Sequence, residues 1–186
     1  LLSFPDGVTR SDVSLTRGAG VTVAAGGGGS IAVNARNLDI LGGSILNAGI
    51  KQGLGAVDAQ AGNITVNATG EIKVVGGGIL AEVQPRAVGK GGDVNITAGS
   101  LSLTNGAQVS ASNFGQGDAG NVTIAARDII AFDGIGGDKL SSGAFSYVGS
   151  GAVGRGGDVS ITTGSLFLTN GALVSASSFG QGDAGN

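Results

Sequence analysis

Acidic residues recur along this 186-residue chain in an arrangement that a calcium site would require. Two pairs stand 65 positions apart, Asp118 with Asp183 and Asp93 with Asp158. Carboxylate oxygens are ligands that Ca²⁺ prefers, and stacked turns would bring such residues together. The pattern GGxGxDxUx of calcium-binding β-rolls is absent, so a polar turn or strand start is the competing interpretation, and the favoured one.

Glycine-rich segments match the spacing G-x-G-x-x-G of dinucleotide-binding loops at residues 115–120, 149–154 and 180–185. A functional loop of this kind must follow a strand and open a helix, and no helical periodicity is present. With 39 glycines in the chain, chance matches are expected. We therefore predict no nucleotide site and no other cofactor, apart from the calcium alternative.

Catalytic chemistry has few candidate groups in this composition. The chain lacks His and Cys, and its 10 basic and 13 acidic residues are scattered. Glu71, Lys73, Glu82 and Arg86 lie near one another in sequence, but they have no partners in other repeats. A polysaccharide-cleaving enzyme would need clustered carboxylates on one face, so we predict that the protein is not an enzyme. The net charge of −3, without a basic stripe, argues against nucleic acid as a partner. No apolar run reaches the length of a membrane-spanning helix.

An internal repeat organises the chain. Residues 91–118 and 156–183 match at 23 of 28 positions. Within each repeat, apolar and polar residues alternate with a period of two, which indicates strands. The same strand pattern recurs at Ile31–Ala35, Ile64–Ala68, Val94–Ala98, Val122–Ala126 and Val159–Thr163. A repeat this close predicts one supersecondary unit stacked on copies of itself.

The glycines before these strands set the period of the repeat. They fall at positions 29, 62, 92, 120, 157 and 185, so successive units contain 33, 30, 28, 37 and 28 residues. Each unit holds about three short strands, and Asn105-Gly106 and Asn170-Gly171 mark sharp turns that need positive φ. We predict an all-β fold, a right-handed parallel β-helix of about three strands and 28–37 residues per coil, over residues 1–186 as one segment. A hairpin-based sandwich also fits short strands, but it does not explain why whole blocks return in the same internal order.

The two close copies predict which side chains face inward. Six apolar positions recur unchanged, and we assign them to the interior: Val94, Ile96, Leu101, Leu103, Val109 and Ala111. Of the five differences between the copies, only Ala98/Thr163 is expected to touch the interior, whereas Asn113/Ser178 is placed in a turn.

Two places are predicted as contact surfaces. The unit of 37 residues exceeds 28 by nine, and we place the insertion within residues 133–155, which contain Lys139, Phe145 and Tyr147. A loop that projects from a rigid scaffold is a common binding element, although a tolerated insertion is the competing interpretation. Phe167 and Leu173 replace Ser102 and Gln108 of the sister copy and predict a small exposed apolar patch.

The chain enters in the middle of a unit and ends at the start of another, without capping segments. Repeat arrays normally need caps. We expect either a window on a longer array or copies that stack end to end into a filament.

Several strings resemble one family of exported proteins. GGGGSIAVNARNLDILGGS, GAVDAQAGNITVNATG and GGDVNITAGSLSLTNGAQVSASNFGQGDAGNVTIAARD are similar to cyanobacterial exoproteins of the filamentous-haemagglutinin type. That resemblance covers the chain from about residue 11 onward. It implies a long right-handed β-helix, exported by two-partner secretion through an outer-membrane barrel partner, and it implies no catalytic residues. The family's N-terminal secretion domain has no counterpart among these residues.

The repeat and the resemblance together set the functional expectation. We expect an adhesive or structural rod at the outer surface of a Gram-negative-type bacterium, with glycans, other cells or sister rods as partners. A self-assembling extracellular filament is the alternative, and a carbohydrate-active β-helix enzyme is a weaker one.

Overall fold

The computed structural model describes residues 8–186, so residues 1–7 of the predicted segment lie outside the described part. This part of the chain is all-β and contains strands, turns and irregular segments without a helix. In chain order the strands are β1 Val13–Leu15, β2 Gly20–Thr22, β3 Ile31–Ala35, β4 Leu38–Leu41, β5 Ile45–Asn47, β6 Gly55–Gln60, β7 Ile64–Ala68, β8 Glu71–Val75, β9 Gly78–Leu80, β10 Val88–Lys90, β11 Val94–Ala98, β12 Ser100–Thr104, β13 Gln108–Ser110, β14 Val122–Asp133, β15 Gly143–Phe145, β16 Val159–Thr169 and β17 Leu173–Ser175.

These strands form three sheets, and every strand pairing in the described part is parallel. The first ladder joins β3, β7, β11 and the first halves of β14 and β16. The second joins β1, β4, β8, β12 and the second halves of β14 and β16, which therefore link both ladders into one nine-stranded sheet. The third ladder is the six-stranded sheet of β2, β5, β9, β13, β15 and β17, and β6 pairs separately with β10.

Paired residues are separated by the repeat lengths counted in the sequence. In the first ladder Ile31 pairs with Ile64, Ile64 with Val94, Val94 with Val122 and Val122 with Val159, at separations of 33, 30, 28 and 37 residues. Two columns of single-residue bridges add to the three ladders, one through Val83, Asn113 and Val148 and another through Val88, Gln116 and Val153. Each repeat therefore obtains its backbone hydrogen bonds from the repeats before and after it.

The main hydrophobic cluster of the interior contains side chains from all three ladders, and a second, smaller cluster consists of Ile50, Ala61, Val83 and Ala87. The six positions predicted to face inward are buried, which confirms that part of the pattern: Val94, Ile96, Leu101, Leu103, Val109 and Ala111. Alternation alone produces this result, because successive side chains of a strand point to opposite faces.

Asn113 corrects the expectation that Ala98/Thr163 is the only differing position to touch the interior, because the Asn113 side chain is fully buried. Its Nδ2 donates hydrogen bonds to the carbonyl oxygens of Gly117 and Val153, and its Oδ1 accepts from the Gly115 N–H at 2.8 Å. Buried polar groups persist where they are hydrogen-bonded, and this amide holds the turn 113–117 in shape.

One column of glycines is required by the close approach of neighbouring repeats. Gly89, Gly117, Gly154 and Gly182 all have φ between +130° and +141°, which L side chains rarely adopt. A Cβ at Gly117 would also overlap the carbonyl oxygen of Gly89. Both constraints exclude a side chain at this column.

We expect Gly117→Ala to lower the free energy of unfolding by at least about 2 kcal/mol, because it adds backbone strain to a steric overlap. For a chain of this length the midpoint of thermal unfolding should fall by roughly 4 °C or more. Gly137→Ala is the matched control, since a Cβ there meets open space. Equal unfolding midpoints for the two variants would contradict the steric argument.

Candidate contact surfaces

The four aspartates predicted as calcium ligands lie in two separate columns. Asp93 and Asp158 belong to a polar column in which each side-chain oxygen accepts a hydrogen bond from the backbone N–H of its counterpart in the next repeat. The Asn121 N–H donates to Asp93 at 2.8 Å, and the Asn186 N–H donates to Asp158 at 2.9 Å. The column runs through Ser30, Asn63, Asp93, Asn121, Asp158 and Asn186.

Asp118 and Asp183 lie in the second column, with Arg155 between them in register. The Arg155 N–H donates to Asp118 Oδ1 at 3.0 Å. Asn121 separates Asp93 from Asp158 in the same way, so the carboxylates are not stacked directly on one another, as the calcium alternative supposed. Residues 8–186 contain no group of three or more His, Cys, Asp or Glu side chains that could hold a metal ion. Three of the four aspartates, Asp93, Asp118 and Asp158, accept hydrogen bonds from backbone N–H groups of the next repeat.

The nine additional residues of the long repeat are divided among three places. Gly143 follows Asp133 by ten positions, whereas their partners in the preceding repeat, Gln108 and Thr104, are four positions apart. Six of the nine additional residues therefore lie in residues 134–142. Two more lie between Val148 and Val153, and one lies between Ala126 and Ile130. The predicted insertion at 133–155 is therefore one projecting segment and a smaller expansion, with regular strand structure between them.

Residues 134–142, the projecting loop, form a short hairpin. Ile135 and Ser141 form an antiparallel bridge, and the Gly136 N–H donates to the Leu140 carbonyl at 2.8 Å. Lys139 lies at the tip with φ of +67° and is exposed. Ile135 and Leu140 are 53% and 46% exposed, an unusual degree for large apolar side chains.

The projecting loop leans over the turn of the preceding repeats. Asp138 and Leu140 face a cleft of about 180 Å³ whose other wall is formed by the third ladder and its turns. Glycines line most of that wall, at positions 43, 76, 77, 78 and 106. The cleft is therefore lined by glycine backbone, the carboxylate of Asp138 and the aliphatic side chains of Ile45, Leu80 and Leu140.

Aromatic side chains fill a surface groove beside the third ladder. Tyr147 makes edge-to-face contacts with Phe114, Phe145 and Phe179, at centroid distances of 5.5, 6.2 and 5.8 Å. Phe145 is only 5% exposed and pairs in register with the small Ser110. This corrects the expectation for Phe145, whose ring is unavailable to a partner, whereas Tyr147 is half-buried.

Glu82 lies at the edge of this aromatic groove, beside Ser110 and Gln84. Burial raises the pKa of the Glu82 carboxyl, and hydrogen bonds with Ser110 and Gln84 oppose that shift. The Gln84 Nε2 donates to Glu82 Oε2 at 3.0 Å. Burial, together with the nearby Glu82 charge, raises the pKa of the Tyr147 hydroxyl as well.

Phe167 and Leu173 are exposed, at 53% and 47%. Phe167 pairs with Ala131, which pairs with Ser102, so it lies in the column that the alternation assigned to the outer face. Leu173 pairs with Gly143 at the start of the third ladder, away from Phe167 on the second. Their strands belong to different sheets.

Sequence reasoning missed a charged column and a basic cleft. Lys90 and Arg155 occupy the position held by Asp118 and Asp183, three residues before each polar strand start, and aligning all repeats would have revealed it. Arg10 and Arg127 line an open cleft of about 400 Å³ at the corner between the first two ladders. The Arg10 Nη1 donates to the carbonyl oxygen of Asn67 at 3.2 Å. No sequence signal predicts this cleft, because Arg10 and Arg127 belong to distant repeats.

Searches of protein-family models, curated proteins and solved structures found no match to this chain. The resemblance to filamentous-haemagglutinin-type exoproteins therefore stays a prediction. In the part of the chain that the structure describes, no helix has the length and apolarity needed to cross a membrane.

We expect Glu82→Gln to raise the unfolding midpoint at pH 7 but not at pH 4. The folded-state pKa of Glu82 is raised, so its contribution to stability is present below the unfolded value and is lost as pH rises through the folded value. The substitution should also shift the titration of Tyr147 to lower pH, because it removes a nearby negative charge.

Ultraviolet absorbance of the phenolate reports this titration directly, since the chain has a single tyrosine and no tryptophan. Glu71→Gln is the control, because Glu71 is an exposed residue on β8. An unchanged Tyr147 titration in Glu82→Gln would show that the two groups do not interact.

Proposed function

We propose that this chain is a segment of a right-handed parallel β-helix that serves as a structural and adhesive rod at the cell surface. Support for the winding comes from parallel pairing at each repeat length and from a main hydrophobic core shared by three ladders. The hand follows from the general preference of parallel β connections. Each repeat would add about 4.8 Å along the rod axis, the usual spacing between strands.

The observation that carries the adhesive proposal is the projecting loop on a regular scaffold. The strand before residues 134–142, β14, pairs with β12 and β16, and the strand after them, β15, pairs with β13 and β17. The loop therefore disturbs neither ladder. It presents Ile135, Leu140 and Lys139 to solvent beside the glycine-lined cleft. Exposed apolar groups next to a charge suit a contact with a glycan or another protein.

A carbohydrate-cleaving function has less support from the same residues. Glu71 and Lys73 are exposed on β8, whereas Glu82 packs beside Ser110 and Gln84 after β9. A glycosidase needs two carboxyl groups across one bond, and these two carboxylates do not share a surface. Export to the cell exterior, and glycans or other cells as partners, belong to the proposal through the family resemblance.

Insertion of additional repeats tests the winding. Copies of residues 92–119 placed between Ala119 and Gly120 join without a seam, because Gly92 and Gly120 are equivalent positions. Four copies should lengthen the maximum dimension by about 19 Å in small-angle scattering, at constant cross-section. Growth in all dimensions would contradict a β-helix.

Replacement of the projecting loop tests adhesion separately. Residues 134–142 can be exchanged for Asn-Gly-Ala, the sequence that joins the equivalent strands at 105–107 and 170–172. Beads coated with this variant should attach several-fold less to bacterial cells and to a panel of immobilised glycans than beads coated with the unaltered chain. The variant's unfolding midpoint should remain near that of the unaltered chain. Equal attachment by both would place the contact surface elsewhere, and no attachment by either would contradict an adhesive function.

A further inference from the structure

One exposed column of the protein carries charges of alternating sign. The charge strip consists of Lys90, Asp118, Arg155 and Asp183, one residue from each of four consecutive repeats. Backbone hydrogen bonds place them in register: the Gly91 N–H donates to the Asp118 carbonyl, the Ala119 N–H to that of Arg155 and the Gly156 N–H to that of Asp183, each at 2.8 Å. Reading along the chain, the signs are positive, negative, positive and negative.

The side chains of the charge strip are available to a partner. Lys90, Arg155 and Asp183 are exposed, and Asp118 is half-exposed. Among residues 8–186 the ion pairs within 4.0 Å are Arg36–Asp12 and Arg127–Asp128, so none joins members of the strip. The glycine column lies one residue before each charge, which keeps the backbone beside the strip free of side chains.

The alternation restricts which partner can be attracted. The backbone positions that carry neighbouring charges of the strip lie about 4.8 Å apart, less than the Debye length of about 8 Å at physiological salt. Opposite charges at that spacing cancel at greater distance, so a polyanion or polycation gains little. Attraction requires close contact with a surface whose charges also alternate in sign at this spacing, so that each charge of the strip faces a charge of opposite sign.

We propose that this surface is the charge strip of a second copy of the chain, packed side by side in the antiparallel direction. Reversing the strip turns the order of signs into its complement. A twofold axis between Asp118 and Arg155 sets Lys90 opposite Asp183 of the second copy and Asp118 opposite its Arg155. The contact is isologous and closed, so both copies use the same residues. Val88, Gln116, Val153 and Gln181 flank the strip and form the rest of the contact.

This inference rests on the proposed rod and adds its lateral partner. Four exposed ion pairs form a weak contact that weakens further with salt. In a longer array the same contact would repeat, and linked contacts strengthen each other through effective concentration.

Sedimentation equilibrium of the 186-residue chain at low and high salt tests the lateral contact. At low salt the weight-average mass should rise with concentration toward a dimer, and added salt should reverse it. Lys90→Asp and Asp183→Lys should each weaken association by roughly tenfold or more, because each converts two attractive contacts into repulsive ones. The double variant should restore association in the antiparallel arrangement. In a parallel arrangement shifted by one repeat, Lys90→Asp would instead place a negative charge opposite Asp118 of the second copy, so rescue distinguishes the two arrangements.

Lys73→Asp is the matched control, since it makes the same change in charge at an exposed residue on β8, outside both the strip and the projecting loop. It should leave association unchanged, and unfolding midpoints confirm that every variant is folded. A monomer at all concentrations, or association of equal strength in the Lys90→Asp variant and the unaltered chain, would overturn the proposal. Neither result affects the repeat-insertion measurement, so failure of the lateral contact is distinguishable from failure of the rod.

Discussion

The parallel backbone hydrogen bonds between consecutive repeats are the interaction on which the rest of this structure depends. Within residues 8–186 no repeat pairs its own strands with each other, so each ladder exists only because the equivalent strand lies one repeat away. Side chains then repeat in columns, and an aliphatic residue in one repeat lies against its counterpart in the next. Stability is therefore a property of the stack, as in other repeat proteins.

Close stacking explains the composition as well as the fold. Backbones of successive repeats approach so closely at Gly117 that any side chain would overlap the preceding repeat, which accounts for a full column of glycines. At the strand starts the same proximity lets each Ser, Asn or Asp accept a hydrogen bond from the next backbone N–H. Polar groups are thus satisfied between repeats with few ion pairs.

Three features of the molecule differ from the regular columns in which equivalent side chains repeat. The projecting loop at 134–142 adds an exposed hairpin without disturbing the ladders around it, and the aromatic groove replaces small residues by large ones that pack across repeats. The residues of the charge strip share one column, but their charges alternate in sign, and this alternation is visible only when several repeats are compared. These three features distinguish one face of the protein from another, and the contacts we propose lie at the projecting loop and the charge strip.

The sequence by itself determined the repeat lengths, the position of the first strand in each repeat, the six interior side chains and the positive φ of Asn105 and Asn170. These depend on local alternation and on intrinsic backbone preferences, which are visible in a few consecutive residues. Only the tertiary structure decided that Phe145, Glu82 and Asn113 pack within the fold, and that nine additional residues divide among three places. It also decided which charges share a column. The physical reason is that repeats of unequal length are aligned by hydrogen bonds between them, and this register brings together residues that are distant in sequence.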